Sequence, residues 1–301
     1  MPLPIFKDPI KQELFDKQGF ITLPFIDRDI VEKLDQVFDE LHPQLPDGGF
    51  ISGSYSPDYN YKKTASDNIL QAFKKSYEKI FQNYHAIGGA FLFKMPSENS
   101  ELMMHQDWTI VDEGKYYALN VWVPLTDINE KNGALMVLPG SHFRSIQTLR
   151  APTLPFFFSG NENILKEHLV PLYVKAGEAV IINQSLVHFS PANISGKIRK
   201  AITAGVVSQG AQICYYYKDP NSEKKEIEKF EQEESFLIQF NDFFKDIFNR
   251  PTFGKYVESI PYNSPVLEKN ELEKTVRQML ESAGYSIQKP GILKRLKSLF
   301  S

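Results

Sequence analysis

Cysteine is almost missing from this chain: Cys214 is the only one in 301 residues, so no intramolecular disulfide can form and a reducing compartment is expected. Long apolar runs are missing as well. Nothing approaches the roughly 18–20 consecutive apolar residues that cross a bilayer, so no transmembrane helix is expected. The opening Met1-Pro2-Leu3-Pro4-Ile5-Phe6-Lys7-Asp8 lacks the basic-then-apolar pattern of a secretion signal. Neither charge is in large surplus: 34 Lys and Arg stand against 37 Asp and Glu, for a formal net charge of -3. Nucleic-acid-binding domains usually carry a basic excess, so no nucleic-acid partner is expected. Internal repeats and low-complexity tracts are absent. What remains is an ordinary globular balance, 42% hydrophobic and 24% charged, on a chain long enough to bury a substantial core. A cytoplasmic globular protein is the expectation.

The texture changes twice along the chain. Residues 1–87 read as helical. Asp8-Pro9 starts a helix that Gly19 ends, and Ile30, Val31, Leu34, Val37, Phe38 and Leu41 recur at helical spacing before Pro43. A third helix is predicted from Ser66, with Ile69, Leu70, Phe73 and Tyr77 on one face. Residues 88–210 carry short apolar or alternating runs such as Tyr116–Leu125, Glu178–Asn183 and Arg199–Val207, punctuated by Gly and Pro. Such a series predicts a sandwich, jelly roll or barrel. Residues 211–301 read as a helical C-terminal extension, with an aromatic stripe of Phe236, Leu237, Phe240, Phe243, Phe244 and Phe248 expected to pack on the core. The composition demands no second domain, so residues 1–301 are read as one.

His105-Gln106-Asp107 is the first chemical signal. Residues i and i+2 of an extended segment face one side, so His105 and Asp107 can converge on one ion. A third ligand must come from elsewhere, and His188, after the predicted strand Glu178–Asn183, is the candidate. Two histidines and a carboxylate leave part of an octahedral ion open, as non-haem iron(II) oxygenases require. The same set also suits catalytic zinc. Arg199, eleven residues beyond His188, can return on the next strand and bind a carboxylate in a bidentate fork, as the distal end of 2-oxoglutarate needs, with Ser190 adding a hydroxyl.

Four blocks in this order and spacing resemble the phytanoyl-CoA dioxygenase family of iron(II)- and 2-oxoglutarate-dependent oxygenases. They are His105-Gln106-Asp107, Asn120–Leu125, Asn132–His142, and His188–Ser195 followed by Arg199. Phe15, Gly19, Phe20 and Ile21 resemble the family's opening, and the likeness spans roughly residues 10–208. The resemblance implies a mostly β, double-stranded β-helix (jelly-roll, cupin-like) core with N- and C-terminal helical extensions. It implies iron(II) on His105, Asp107 and His188. It also implies 2-oxoglutarate on Arg199 and Ser190, with Gln106 and Trp122 nearby. The expected reaction hydroxylates an unactivated C–H bond of a small molecule while 2-oxoglutarate and O2 become succinate and CO2. A non-catalytic jelly-roll binding protein is the alternative, because a fold alone does not dictate function.

The substrate is expected to be a small molecule, apolar or anionic, walled by Ser54–Ser66 and by the insertion Arg150–His168. His142 is expected either to be structural or to stand just behind the metal ligands, and His42 and His168 to lie at the surface. Residues 291–301, with Ile292, Leu293 and Leu296 opposite Lys294 and Arg295, suggest a short amphipathic helix that could touch a membrane surface.

Overall fold

In a computed structural model, which describes residues 2–143, 149–263, 269–289 and 292–295, the chain opens as the capping residues dictate. The Asp8 carboxylate accepts from the Ile10 and Lys11 amides and starts α1 (Pro9–Gln18), which Gly19 ends in the left-handed region. Side chains are barred there, because a Cβ on Gly19 would come within 2.4 Å of the His142 ring. There follow β1 (Phe20–Pro24), α2 (Arg28–Leu41), β2 (Phe50–Ser52), α3 (Tyr59–Ile80), β3 (Tyr84–Lys94), β4 (Leu102–His105), β5 (Ala118–Pro124) and β6 (Leu135–Val137). Then come α4 (Glu162–Lys166), β7 (Val170–Leu172), β8 (Glu178–Asn183), β9 (His188–Ser190), β10 (Arg199–Ser208), β11 (Cys214–Tyr217), β12 (Glu226–Glu231) and α5 (Phe243–Asp246). The chain continues through β13 (Lys255–Pro261), α6 (Lys269–Ser282), β14 (Tyr285–Lys289) and β15 (Ile292–Arg295).

Two antiparallel sheets form the jelly-roll core, one in the order β1-β8-β5-β10-β3-β2 and the other β4-β9-β6-β7. Strand alternation divides the larger sheet between two cores. Val121, Val123, Ile181, Ile202 and Ala204 pack with Leu34, Phe38, Ile69, Phe73 and Tyr77 of α2 and α3. Their neighbours Trp122, Val180, Ile182 and Ala201 join Leu135, Val137, Leu172 and Phe189 of the smaller sheet. Each fully buried side chain of this size stabilises the fold by about 1.5–3 kcal/mol.

Several expectations are corrected. The first 87 residues are not purely helical, because β1 and β2 are the edges of the larger sheet; Phe20 faces the inter-sheet core and Ile21 the helices. α3 begins at Tyr59 rather than Ser66, since the Asp58 carboxylate caps the amides of Asn60 and Tyr61. His42 is not a plain surface residue: its ring stacks on Phe38 at 4.1 Å and bonds the Phe38 carbonyl and the Tyr61 hydroxyl.

The C-terminal extension is mixed rather than helical. β11, β12 and β13 form a third sheet, in which Ile227 and Phe230 of β12 are buried while the Glu and Lys residues between them are not. The aromatic stripe breaks into a 3-10 turn (Glu234–Ile238) and α5, because the Asp246 carboxylate takes the amides of Asn241 and Asp242 and begins a new turn. Residues 292–295 pair with β14 instead of forming a helix, and the rest of 291–301 lies outside the described residues. Among the described residues no helix is long and apolar enough to cross a membrane.

Candidate metal centre and its cavity

The strand register brings the two histidines together. β4 pairs with β9 so that His105 lies directly opposite His188, with ring centroids 4.1 Å apart. Asp107 follows the end of β4, and its Oδ1 lies 3.7 Å from His105 Nε2 and 3.9 Å from His188 Nε2. Those gaps exceed a hydrogen bond, yet stay within twice a metal–ligand bond of about 2.0–2.2 Å. The other ring nitrogens are held by the backbone: His105 Nδ1 is 2.7 Å from the Met103 carbonyl and His188 Nδ1 is 2.9 Å from the Leu186 carbonyl. A carbonyl requires a proton on Nδ1, which leaves each Nε2 lone pair facing the centre. Burial and the adjacent His188 ring hold the His105 pKa well below its ordinary value, keeping the imidazole neutral as a metal ligand must be. Among the described residues this is the one group of three such side chains able to hold a metal.

Asp107 is oriented by residues that the sequence did not single out. Asn120 Nδ2 donates to Asp107 Oδ2 at 3.2 Å, and the Thr203 hydroxyl donates to Asn120 Oδ1. Arg150 Nε donates to the Asp107 carbonyl at 2.8 Å, while its guanidinium pairs with Glu113. Asn120 was legible in principle, because it shares a strand face with Trp122. Arg150 was not, since its partner lies 43 residues away.

Arg199 shares the inward face of β10 with Ala201 and Thr203. It is 3% exposed, and its Nε has no hydrogen-bond partner. Burial pushes its pKa down to about 9, so it still carries its charge at neutral pH. No carboxylate pairs with it among the described residues. Trp122 lies against it, with Cζ 5.4 Å from the ring centroid. A buried cation without a counter-ion, lining the same cavity as the triad, fits an anionic co-substrate that also reaches the metal.

The other expected contacts have partners of their own. Ser190 Oγ donates to the Gly133 carbonyl at 2.9 Å, and Gln106 Nε2 donates to the Ser185 carbonyl at 2.5 Å. Gly133 sits at φ 76°, where a Cβ would lie 2.7 Å from the Pro191 carbonyl, so only glycine permits that approach. Lys94, also unnoticed in the sequence, is fully buried, and its ammonium reaches the Ser100, Ser190 and Pro191 carbonyls at 2.6–2.8 Å. It ties the end of β9 to β3. His142 is structural as expected, its Nε2 lying 2.9 Å from the Asp16 carbonyl, and burial lowers its pKa to about 4. His168 is only partly exposed rather than fully at the surface.

Around the centre lies a cavity of about 720 Å³. Tyr55 and Lys62 of the expected Ser54–Ser66 wall border it. The described residues of 150–168 do not, and Leu237, Phe243, Phe244 and Phe248 of the aromatic stripe stand there instead.

Residues 17–201, more than half of the chain, match the family model for phytanoyl-CoA dioxygenase. The chain belongs to that family. It is 34% identical over 150 residues to phytanoyl-CoA dioxygenase domain-containing protein 1 of Danio rerio, covering 48% of this chain and 51% of the relative. It is 30% identical over 123 residues to phytanoyl-CoA dioxygenase 1 of Oryza sativa subsp. japonica, covering 40% and 44%. The matches thus span about half the length of these curated relatives.

Solved structures share the fold. The non-haem α-ketoglutarate-dependent carbocyclase SnoK of nogalamycin biosynthesis aligns with a TM-score of 0.51 at 16% identity, covering 67% of this chain and 84% of SnoK. The epimerase SnoN, solved with Fe3+, α-ketoglutarate and nogalamycin RO, aligns at 0.50 and 18% identity, covering 68% and 87%. This family member therefore has the jelly-roll architecture of 2-oxoglutarate oxygenases.

Proposed function

We propose that the chain is an iron(II)- and 2-oxoglutarate-dependent oxygenase that hydroxylates an unactivated C–H bond of a small molecule, turning 2-oxoglutarate and O2 into succinate and CO2. The observation that carries this reading is the pairing of a two-histidine, one-carboxylate cluster with the buried, unpaired Arg199 in one cavity. Zinc would explain the cluster but gives no role to Arg199. Iron, when bound, supplies the activation of O2.

The chain's own residues supply geometry. His105, Asp107 and His188 would hold the ion. Arg199 takes the distal carboxylate of 2-oxoglutarate as a fork. The Trp122 ring offers an apolar face beside that fork, and the Ser190 hydroxyl can join the carboxylate only by turning from Gly133. Gln106 stands beside the ligands, tied to the backbone at Ser185. The apolar cavity excludes water while the oxidant exists. A reducing, cytoplasmic setting belongs to the same proposal and suits the lone, buried Cys214.

Anaerobic addition of iron(II) and 2-oxoglutarate should produce a weak visible charge-transfer band. His188→Ala should abolish the band, and Arg199→Ala should weaken 2-oxoglutarate binding by about 100-fold, the cost of leaving a buried charge unpaired. A wild-type protein that shows no band and binds neither component by calorimetry would overturn the proposal.

A further inference from the structure

The other half of the cavity, which begins beside Asp107 at Trp108 and Tyr55, has walls of a different chemistry. Its floor is nearly bare of side chains, because Gly88, Gly89, Ala90, Ala204 and Gly205 lie where β3 and β10 pair. Its roof is aromatic. Trp108 stacks on Phe243 with an interplanar angle of 10°, and Tyr55 lies 4.6 Å from Phe243 and 4.8 Å from Phe244. At the rim Met103, Phe244 and Phe248 are 70%, 64% and 54% exposed, an apolar entrance.

Charge decides what such a space can hold. Among the described residues, and apart from the histidines, the charged side chains lining the cavity are Lys62, Asp107 and Arg199. The last two belong to the metal side. Lys62 is 2% exposed, and its ammonium donates to the Phe240 carbonyl, so its charge is sealed behind the wall. Among the described lining residues nothing accessible in this half offers a counter-charge, and an anion placed there would lose its hydration without compensation.

We infer that this half of the cavity binds an uncharged, mainly apolar, ring-bearing molecule, and that the wall formed by residues 237–248 selects it. As the identity of the substrate, this rests on the oxygenase reading; as a binding property, it does not. The whole cavity, at about 720 Å³, lies in the range of roughly 300–1,000 Å³ for pockets that bury a drug-sized ligand. The selecting wall lies beyond residues 17–201 that match the family, so the preference belongs to this chain's own extension. Among the described residues lining the rim there is no basic side chain to meet the phosphates of a phosphate-bearing acyl carrier.

The test compares two isosteric probes, 1-naphthalenemethanol and 1-naphthoate, by calorimetry. The full chain is titrated with and without saturating 2-oxoglutarate and a redox-silent divalent ion. With 2-oxoglutarate and the ion bound, so that Arg199 is occupied, the alcohol should bind at least tenfold more tightly than the carboxylate. Phe244→Ala and Phe248→Ala, both at exposed positions that spare the core, should each weaken the alcohol severalfold and leave 2-oxoglutarate affinity unchanged. Equal or tighter binding of 1-naphthoate with 2-oxoglutarate bound, or alcohol binding that neither variant alters, would overturn the inference. Failure of the 2-oxoglutarate titration itself would count against the oxygenase reading alone.

Discussion

The metal side and the aromatic wall of the cavity are built by different means. On the metal side, strand register places His105 opposite His188, and hydrogen bonds from Asn120, Thr203 and Arg150 fix Asp107. The wall is a 3-10 turn and one α turn whose side chains meet mainly through ring contacts among Phe236, Phe240, Phe243, Tyr215 and Trp108, with Lys62 and Tyr215 bonding its Phe240 and Ile247 carbonyls. Directional bonds suit a centre that must hold ligand atoms to a few tenths of an ångström. Dispersion contacts tolerate a change of ring or volume, so a specificity wall can vary while the chemistry beside it stays fixed.

The comparison can be broken most severely from the wall's anchor. Phe236 is fully buried, so Phe236→Ala should cost about 3–5 kcal/mol in denaturant unfolding of the wall. The surviving folded protein should bind 2-oxoglutarate normally; a parallel loss of that binding would show the two sides to be one unit. On the metal side, Asn120→Ala should lower metal affinity by about tenfold through a loosened Asp107 carboxylate. Unfolding midpoints measured without metal should hardly move, and an unchanged metal titration would remove Asn120 from the centre.

His142 sharpens the comparison by perturbing the scaffold behind both sides. Its folded-state pKa of about 4 lies below the ordinary 6.5, so the unfolded chain binds more protons between those values. Stability contributed by neutral His142 is therefore present above about pH 6.5 and lost as pH falls towards 4. The slope should reach about 1.4 kcal/mol per pH unit. His142→Asn should flatten that part of the stability–pH curve, and an unchanged curve would assign acid sensitivity elsewhere.

Much of the metal side was legible in the residues. His105, Asp107, His188 and Arg199 stand in a recognisable order, and the strands Glu178–Asn183 and Arg199–Ser208 follow the predicted runs closely. The wall was misplaced for a physical reason. Phe236–Phe248 repeats at helical spacing, which reads as a packed helix. Two amides captured by Asp246 break that helix and turn its rings partly towards the cavity. The insertion Arg150–His168 was expected to wall the substrate. Arg150 instead braces the Asp107 backbone, a role visible only once residues 43 apart meet.

By itself the sequence determined the candidate ligand types, their order along the chain, and the alternation that sends Trp122 and Arg199 inward while Val121 and Ile202 face the helices. Those are local properties, set by side-chain chemistry and the two-residue period of a strand. Only the tertiary structure decided that Arg199 is buried with no counter-ion among the described residues, that Lys62 is sealed off, and which segment closes the cavity. Burial and pairing are sums over neighbours distant in sequence, and no local pattern contains them.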